Sequence, residues 1–252
     1  MSNTATVLAF DFGASSGRAI RAVYDGQNLT YEEIHRFENV PIEKDGHLCW
    51  DVETLLKEIH TAIQKAGTFD SLGFDTWGVD FGLLDADGHL LANPVHYRDA
   101  RTNGKPEQAA ARMPAEELYA HTGNQIMAIN TLFQLLALRE QDPELLQKAE
   151  QILFMPDLFA ALLGAEPVCE RSIASTSQML DPRTGQWSRE VLAAYGLKEK
   201  HFAPLVASGT VTGTLTTGAK IIAVAGHDTQ CASAAMPCAE EDAEHTAFLS
   251  CG

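Results

Sequence analysis

The chain has 252 residues, 45% of them hydrophobic, enough to bury a sizeable core in one large or two small domains. Acidic residues number 34 against 18 basic ones, and no basic run interrupts the net charge of -16, which sets nucleic acid aside as a partner. The five cysteines include no C-x-x-C pair, the first residues carry no basic leader, and no apolar run approaches the ~20 residues that cross a bilayer, so the expectation is reduced thiols, a cytoplasmic setting and no membrane segment. An anionic ligand would have to be met locally, by backbone amides, Mg²⁺ or a few Arg and Lys side chains.

The apolar run Val7 to Phe10 predicts a buried strand, and Ala19 to Tyr24 a second one after a short polar turn. Leu29 to Val40, beyond the Asp25-Gly26 turn, predicts a third antiparallel strand. Asp51 is a candidate N-cap for a helix whose buried face is Val52, Leu55, Leu56, Ile59 and Ile63 and whose end lies near Gly67. Ser71 to Phe74 predicts a strand, and Asp85 to Gly88 a hairpin turn between Phe81–Leu84 and His89–Leu91. Residues 105–164 read as mostly helical, with Pro143 and Pro156 as breaks and with Met127, Phe133 and Phe159 as core. Asp181 to Gly185 is a turn, and 201–217 is loop with a short strand. Ile221 to Ala225 is a buried strand, followed by a helix from Thr229 to about Met236 and a last strand from Thr246 to Ser250.

Three carboxylates, Asp11, Asp75 and Asp228, stand at or just past predicted strand ends, where open α/β sheets hold their ligands. The order β-β-β-α-β, then helices, then β-α predicts an α/β fold: a ribonuclease H-like (actin-like ATPase) lobe with a mixed sheet and flanking helices. Asp11-Phe-Gly-Ala-Ser-Ser-Gly-Arg18 is neither G-x-x-x-x-G-K-[ST] nor G-x-G-x-x-G. Its small side chains and amide N–H groups suit a hairpin turn that holds phosphate oxygens while Asp11 faces a bound cation. A plain Gly/Ser hairpin turn explains the same residues. The closing Phe248 to Gly252 weakly echoes Phe10 to Ala14, as the first strand of a second, similar lobe would.

Four segments in this order carry a family resemblance: Asp11 to Arg18, Asp75-Thr-Trp-Gly-Val-Asp-Phe81, Tyr97-Arg-Asp-Ala-Arg-Thr-Asn-Gly104 and Gly226-His-Asp-Thr229. Together they resemble the FGGY family of carbohydrate kinases, and within it the set is most similar to the rhamnulokinases. The resemblance implies transfer of the ATP γ-phosphate, with Mg²⁺, to the C1 hydroxyl of L-rhamnulose. It implies an N-terminal sugar-binding lobe over residues 1–245 and the start of a second lobe over 246–252. The C-terminal lobe of the same kinase would then be the missing partner, and this chain alone would be inactive.

The resemblance also distributes roles. Asp228 is the catalytic base, and Trp77, Gly78, His227, Asp228 and Thr229 contact the sugar. Ala14, Ser15, Ser16, Gly17 and Arg18 contact ATP, and Asp11 positions the metal through water. Asp99, Arg101 and Thr102 border the sugar site, while Asp75 and Asp80 support it from behind or serve the turn. The residues admit plainer roles: Asp228 as a helix cap, His227 as structural, Trp77 as core, and Arg18 or Arg101 as an ion-pair partner. Three other functions remain open at this point. They are an L-fuculokinase or other sugar kinase, a non-catalytic sugar-binding lobe, and a ribonuclease H-like nuclease using Asp11, Asp75 and Asp228.

Overall fold

The computed structural model describes residues 4–249. Its spine is a six-stranded mixed sheet in the order β7-β8-β4-β1-β2-β3. The strands are β1 (Ala5–Phe12), β2 (Ser16–Tyr24), β3 (Leu29–Glu38), β4 (Ser71–Thr76), β7 (Thr210–Thr214) and β8 (Lys220–Ala223). β1, β2 and β3 are the antiparallel meander the sequence predicts; β1 and β2 are longer than their apolar runs, and β3 ends at Glu38, two residues short of the expected Val40. β4 returns beside β1 in parallel, and β8 lies parallel to β4 on its other side. The carboxyl ends of β1, β4 and β8 therefore open at one edge of the sheet, and the candidate site residues follow from that topology.

α1 (Val52–Ala66) makes the crossover between β3 and β4. Asp51 caps it as expected: its carboxylate accepts from the Thr54 backbone N–H at 3.2 Å and from the Thr54 hydroxyl at 2.7 Å. Gly67, at φ 66°, ends it. Val52, Leu55, Ile59, Ala62 and Ala66 face the sheet, and burying Leu55 or Ile59 contributes about 2 kcal/mol each. On the same face, Phe10 stacks on Phe74 at 4.9 Å between centroids and Phe12 on Phe159 of α3 (Met155–Leu162) at 4.8 Å.

The stretch 105–164 is not all helix. Helices Lys105–Ala109, Ala115–Thr122, α2 (Thr131–Gln141) and Pro143–Lys148 are followed by β6 (Gln151–Phe154). β6 pairs antiparallel with β5 (Phe81–Leu84), all four of whose residues are buried. A four-residue apolar run ahead of Pro156 carries no period long enough to separate strand from helix, and the pairing decides it. Phe133 and Phe159 are core, but Met127 is 42% exposed and faces a cleft, because it sits in the loop before α2. Residues 246–249 form no strand, contrary to expectation, and Ser250, Cys251 and Gly252 lie outside the described residues. Among the described residues no helix is long and apolar enough to cross a membrane.

Candidate active site

At the open edge, Asp11 and Asp75 are register partners across β1 and β4. One residue further, Thr76 bridges to His227, and the Thr76 N–H donates to the Gly226 carbonyl at 2.9 Å. This pairing brings the Gly226–Thr229 turn alongside the end of β4. Beside it lies a cleft of about 420 Å³, lined by Trp77, Gly78, Tyr97, Met127, His227 and Asp228 among others.

The wall of this cleft is organised from behind by Asp80, which is fully buried. Its Oδ2 accepts from the Trp50 indole N–H at 2.6 Å, the Trp77 indole N–H at 3.0 Å and the Tyr97 backbone N–H at 3.1 Å. Its Oδ1 accepts from the Gln134 side-chain amide at 2.8 Å, and the Gln134 carbonyl oxygen in turn accepts from Arg101 at 2.8 Å. Burial pushes the Asp80 carboxyl up to about 6, against the pull of these four donors. The Trp77 ring packs 4.0 Å from that of Trp50. Trp77 is thus both core and cleft lining, so the two roles the sequence left open are not exclusive.

Val79 stands at φ 69°, a left-handed conformation that a β-branched residue rarely adopts. The Asp80 N–H donates to the Gly78 carbonyl two residues back, closing a strained γ-turn centred on Val79. Thr131 Oγ1 donates to the Val79 carbonyl at 2.6 Å, and the Val79 N–H donates to Thr176 Oγ1 at 2.9 Å. The Gly78 N–H, at the cleft, has no protein acceptor among the described residues. A side chain on Gly78 would meet Thr176 at 3.0 Å, so glycine is what the site accommodates here.

Asp228 opens the short helix α5 (Asp228–Ala234), whose N-cap is His227 rather than Asp228. Asp228 Oδ1 accepts from the Thr229 N–H at 2.5 Å and the Thr229 hydroxyl at 3.1 Å, and among the described residues no donor reaches Oδ2. Thr229 is not among the residues that line the cleft; its N–H and hydroxyl hold the carboxylate beside it. His227 Nε2 lies 3.4 Å from Asp228 Oδ1, and burial holds its pKa below the ordinary value against the attraction of Asp228.

The side of the Asp11–Arg18 turn is different in kind. Arg18 donates to Asp11 Oδ2 through Nε at 2.7 Å and Nη2 at 2.5 Å, the ion-pair role the sequence left open. Gly17 sits within β2, where a Cβ would meet the Phe37 ring at 2.2 Å, so packing accounts for it. Asn39, unnoticed in the sequence, is buried and braces the turn: its side-chain amide donates to the Gly13 carbonyl at 2.9 Å and its N–H to the Ser15 carbonyl at 3.0 Å. The N–H groups of Ala14 and Ser15 have no protein acceptor among the described residues. Asp75 is pushed up to about 7 by burial, then by Asp11 and Asp228. The same acidic field, after burial, pushes the Cys231 thiol up to about 12. Excess negative charge of this kind fits a hydrated divalent cation, with Asp11 Oδ1 unengaged among the described residues.

The Tyr97–Gly104 segment meets the cleft through Tyr97 alone. Asp99 accepts from the Leu48 and Arg101 N–H groups, Thr102 is buried, and Arg101 turns back to Gln134, and none of the three lines this cleft. Asp11, Asp75 and Asp228 do not converge on a shared ion position. Among the described residues the ligand atoms of Asp85, Asp87 and His89 alone do so, on the surface hairpin turn. The paired-ion chemistry of a nuclease finds no such cluster here.

Residues 6–234 match the model of the N-terminal domain of the FGGY family of carbohydrate kinases. The chain belongs to this family. It is 41% identical over 258 residues to a rhamnulokinase of Bacteroides thetaiotaomicron, an alignment covering 97% of this chain and 53% of that protein. It therefore spans about half the length of the curated relative it matches. Among solved structures, gluconate kinase from Lactobacillus acidophilus superposes with a TM-score of 0.77 at 17% identity, covering 88% of this chain and 48% of that one. Plasmodium falciparum glycerol kinase with ADP superposes with a TM-score of 0.72 at 16% identity, covering 90% and 49%. At such identities the likeness is one of fold, and it agrees with the actin-like ATPase lobe expected from the sequence.

Proposed function

We propose that this FGGY chain is the sugar-holding, base-bearing lobe of a kinase that phosphorylates L-rhamnulose at its C1 hydroxyl. Residues 1–245 would make up this lobe, and 246–252 would begin a second lobe. The observation that carries the reading is the cleft in which Trp77, the unengaged Gly78 N–H, His227 and the free Asp228 Oδ2 face one volume. The indole of Trp77 offers an apolar surface to the ring and methyl of a 6-deoxy ketose, and the Gly78 N–H offers a donor to a hydroxyl. Asp228 Oδ2 accepts the hydrogen bond of the acceptor hydroxyl and takes its proton as the new O–P bond forms.

Mg²⁺ and ATP would supply the γ-phosphoryl group and the charge neutralisation the transfer needs. Ala14, Ser15 and Ser16 would meet phosphate oxygens, and Asp11 would hold the hydrated metal. Gly17 and Arg18 belong to that segment in the proposal, Gly17 by making room for the Phe37 ring just past the turn and Arg18 by exchanging Asp11 for phosphate. Catalysis is proposed to require the second lobe, so the chain alone would bind sugar without turnover. The free thiols of Cys49, Cys169, Cys231 and Cys238 support a reducing, cytoplasmic setting.

The test is a coupled ADP-release assay on the two-lobed kinase with L-rhamnulose, and L-fuculose as comparison. Turnover preferring L-rhamnulose that falls by about a hundredfold or more in Asp228→Asn supports the reading. Unchanged turnover in that variant removes Asp228 as base, and preference for L-fuculose reassigns the substrate.

A further inference from the structure

One short helix touches both halves of the catalytic constellation. α4 (Arg171–Ser175) follows Glu170, which is 1% exposed. Glu170 Oε2 accepts from the Ser172 N–H at 2.9 Å, the Ser172 hydroxyl at 2.5 Å and the Ile173 N–H at 3.2 Å, capping the helix. The same oxygen accepts from the Gly226 N–H at 3.1 Å, and Oε1 accepts from the Ser208 hydroxyl at 2.7 Å. Ser172 Oγ in turn accepts from the His227 N–H at 3.4 Å. Two successive amides ahead of Asp228 are thus held by the start of α4.

The other end of α4 holds the sugar wall. Thr176, directly after the helix, donates its hydroxyl to the Ile173 carbonyl at 2.7 Å and accepts the Val79 N–H at 2.9 Å. Its methyl group lies against the face of Gly78. A valine at φ 69° has to be held from outside, and this hydrogen bond is one of the restraints that hold it.

We propose that Glu170 and Thr176 are positioning residues: through α4 they form one bracket that fixes the spacing between the Asp228 loop and the Gly78–Val79 wall. The substrate hydroxyl must lie within hydrogen-bond reach of Asp228 while the sugar ring rests on that wall, so the bracket sets whether the bound ketose is aligned for transfer. The inference rests on the kinase reading given above. Glu170 acts on the base and so on kcat, and Thr176 acts on the wall and so on sugar affinity. The residues stand far apart in sequence from what they hold, 97 positions for Thr176 and Val79 and 56 for Glu170 and Gly226.

The experiment uses the two-lobed kinase with L-rhamnulose and Mg·ATP. In Thr176→Val, which keeps the shape and removes the hydroxyl, the sugar KM rises about tenfold while the ATP KM stays put, and Thr176→Ser restores it. In Glu170→Gln, kcat falls about tenfold or more with the sugar KM within about twofold, at a melting temperature that shows the fold intact. Should Glu170→Gln not fold, Ser172→Ala reads the same arm through the His227 amide, with kcat several-fold lower.

A sugar KM in Thr176→Val equal to wild type, or full kcat in folded Glu170→Gln or Ser172→Ala, overturns the bracket. Amide hydrogen exchange, read without any substrate, separates this failure from that of the kinase reading. Faster exchange at Gly226 and His227 in the Glu170 or Ser172 variant, and at Val79 in Thr176→Val, sustains the bracket even if wild type phosphorylates neither sugar. Unchanged exchange at those amides overturns it regardless of activity.

Discussion

The two sides of the cleft are built to different standards of completion. On the Trp77 side, where the proposal seats the sugar, the polar groups behind the wall are engaged: Asp80 accepts four hydrogen bonds, and Gln134 passes the Arg101 charge to it. On the side of the Asp11–Arg18 turn, where the proposal seats the phosphates, Asp75 is crowded by Asp11 and Asp228, and the Ala14 and Ser15 amides face no protein acceptor among the described residues. A buried carboxylate supplied with donors holds a shape, whereas one supplied with other carboxylates stores repulsion that a cation relieves. The first region is finished within this lobe. In the proposal the second is finished by ligands and by a second lobe.

The largest effect that would break this contrast is at Asp80. Asp80→Ala leaves two indole N–H groups, the Tyr97 N–H and the Gln134 amide without their acceptor. A loss of about 3–5 kcal/mol in urea unfolding is expected. A loss below about 1 kcal/mol would mean the wall does not depend on that charge.

Asp75 works in the opposite sense. Its folded pKa of about 7 lies above the ordinary carboxyl value of 3.8, so the folded form binds its proton more tightly than the unfolded chain does. Its contribution to stability is therefore undiminished below pH ~4 and falls as pH rises to about 7. Asp75→Asn should stabilise the lobe by up to about 4 kcal/mol at pH 8 and by almost nothing at pH 3.5, read as unfolding free energy against pH. A flat difference across that range would deny the crowding. Mg²⁺ should narrow the pH 8 gap by stabilising wild type more than the variant.

Gly17→Ala places a Cβ against Phe37 and should cost about 1–3 kcal/mol by overpacking, measured by thermal melting. Smallest is Arg18→Ala. The Arg18–Asp11 pair is substantially exposed, so stability should change by under about 1 kcal/mol. Loss of several kcal/mol would show the pair to be structural and unsuited to exchange for phosphate.

Local pattern carried much of the fold. Asp51 with its helix face, the antiparallel opening meander and the Asp85–Gly88 turn follow from residues near one another, and so they were legible. β6 was not, because its identity depends on pairing with Phe81–Leu84 about 70 residues earlier. The expected strand at 246–250 went with a short echo of Phe10 to Ala14, and residues 246–249 have no partner strand among the described residues. Of the site, motif order brought together Trp77, Gly78, His227 and Asp228 around one cleft. Thr229, Asp99, Arg101 and Thr102 lie outside its lining, their side chains or backbone taken up by nearby polar groups or by packing. Asn39, Glu170 and Thr176 escaped notice because each acts on a backbone distant in sequence. Nothing in the valine codon position of Gly78-Val79-Asp80 signals a left-handed turn, which tertiary hydrogen bonds impose.

The most direct test of a finished sugar side and an unfinished phosphate side is a calorimetric titration of this chain with L-rhamnulose, with and without Mg·ATP. The account predicts saturable sugar binding by the chain alone, little changed by Mg·ATP and weakened about tenfold or more in Trp77→Ala. Sugar binding that appears only when Mg·ATP is present, or none in either condition, would contradict it.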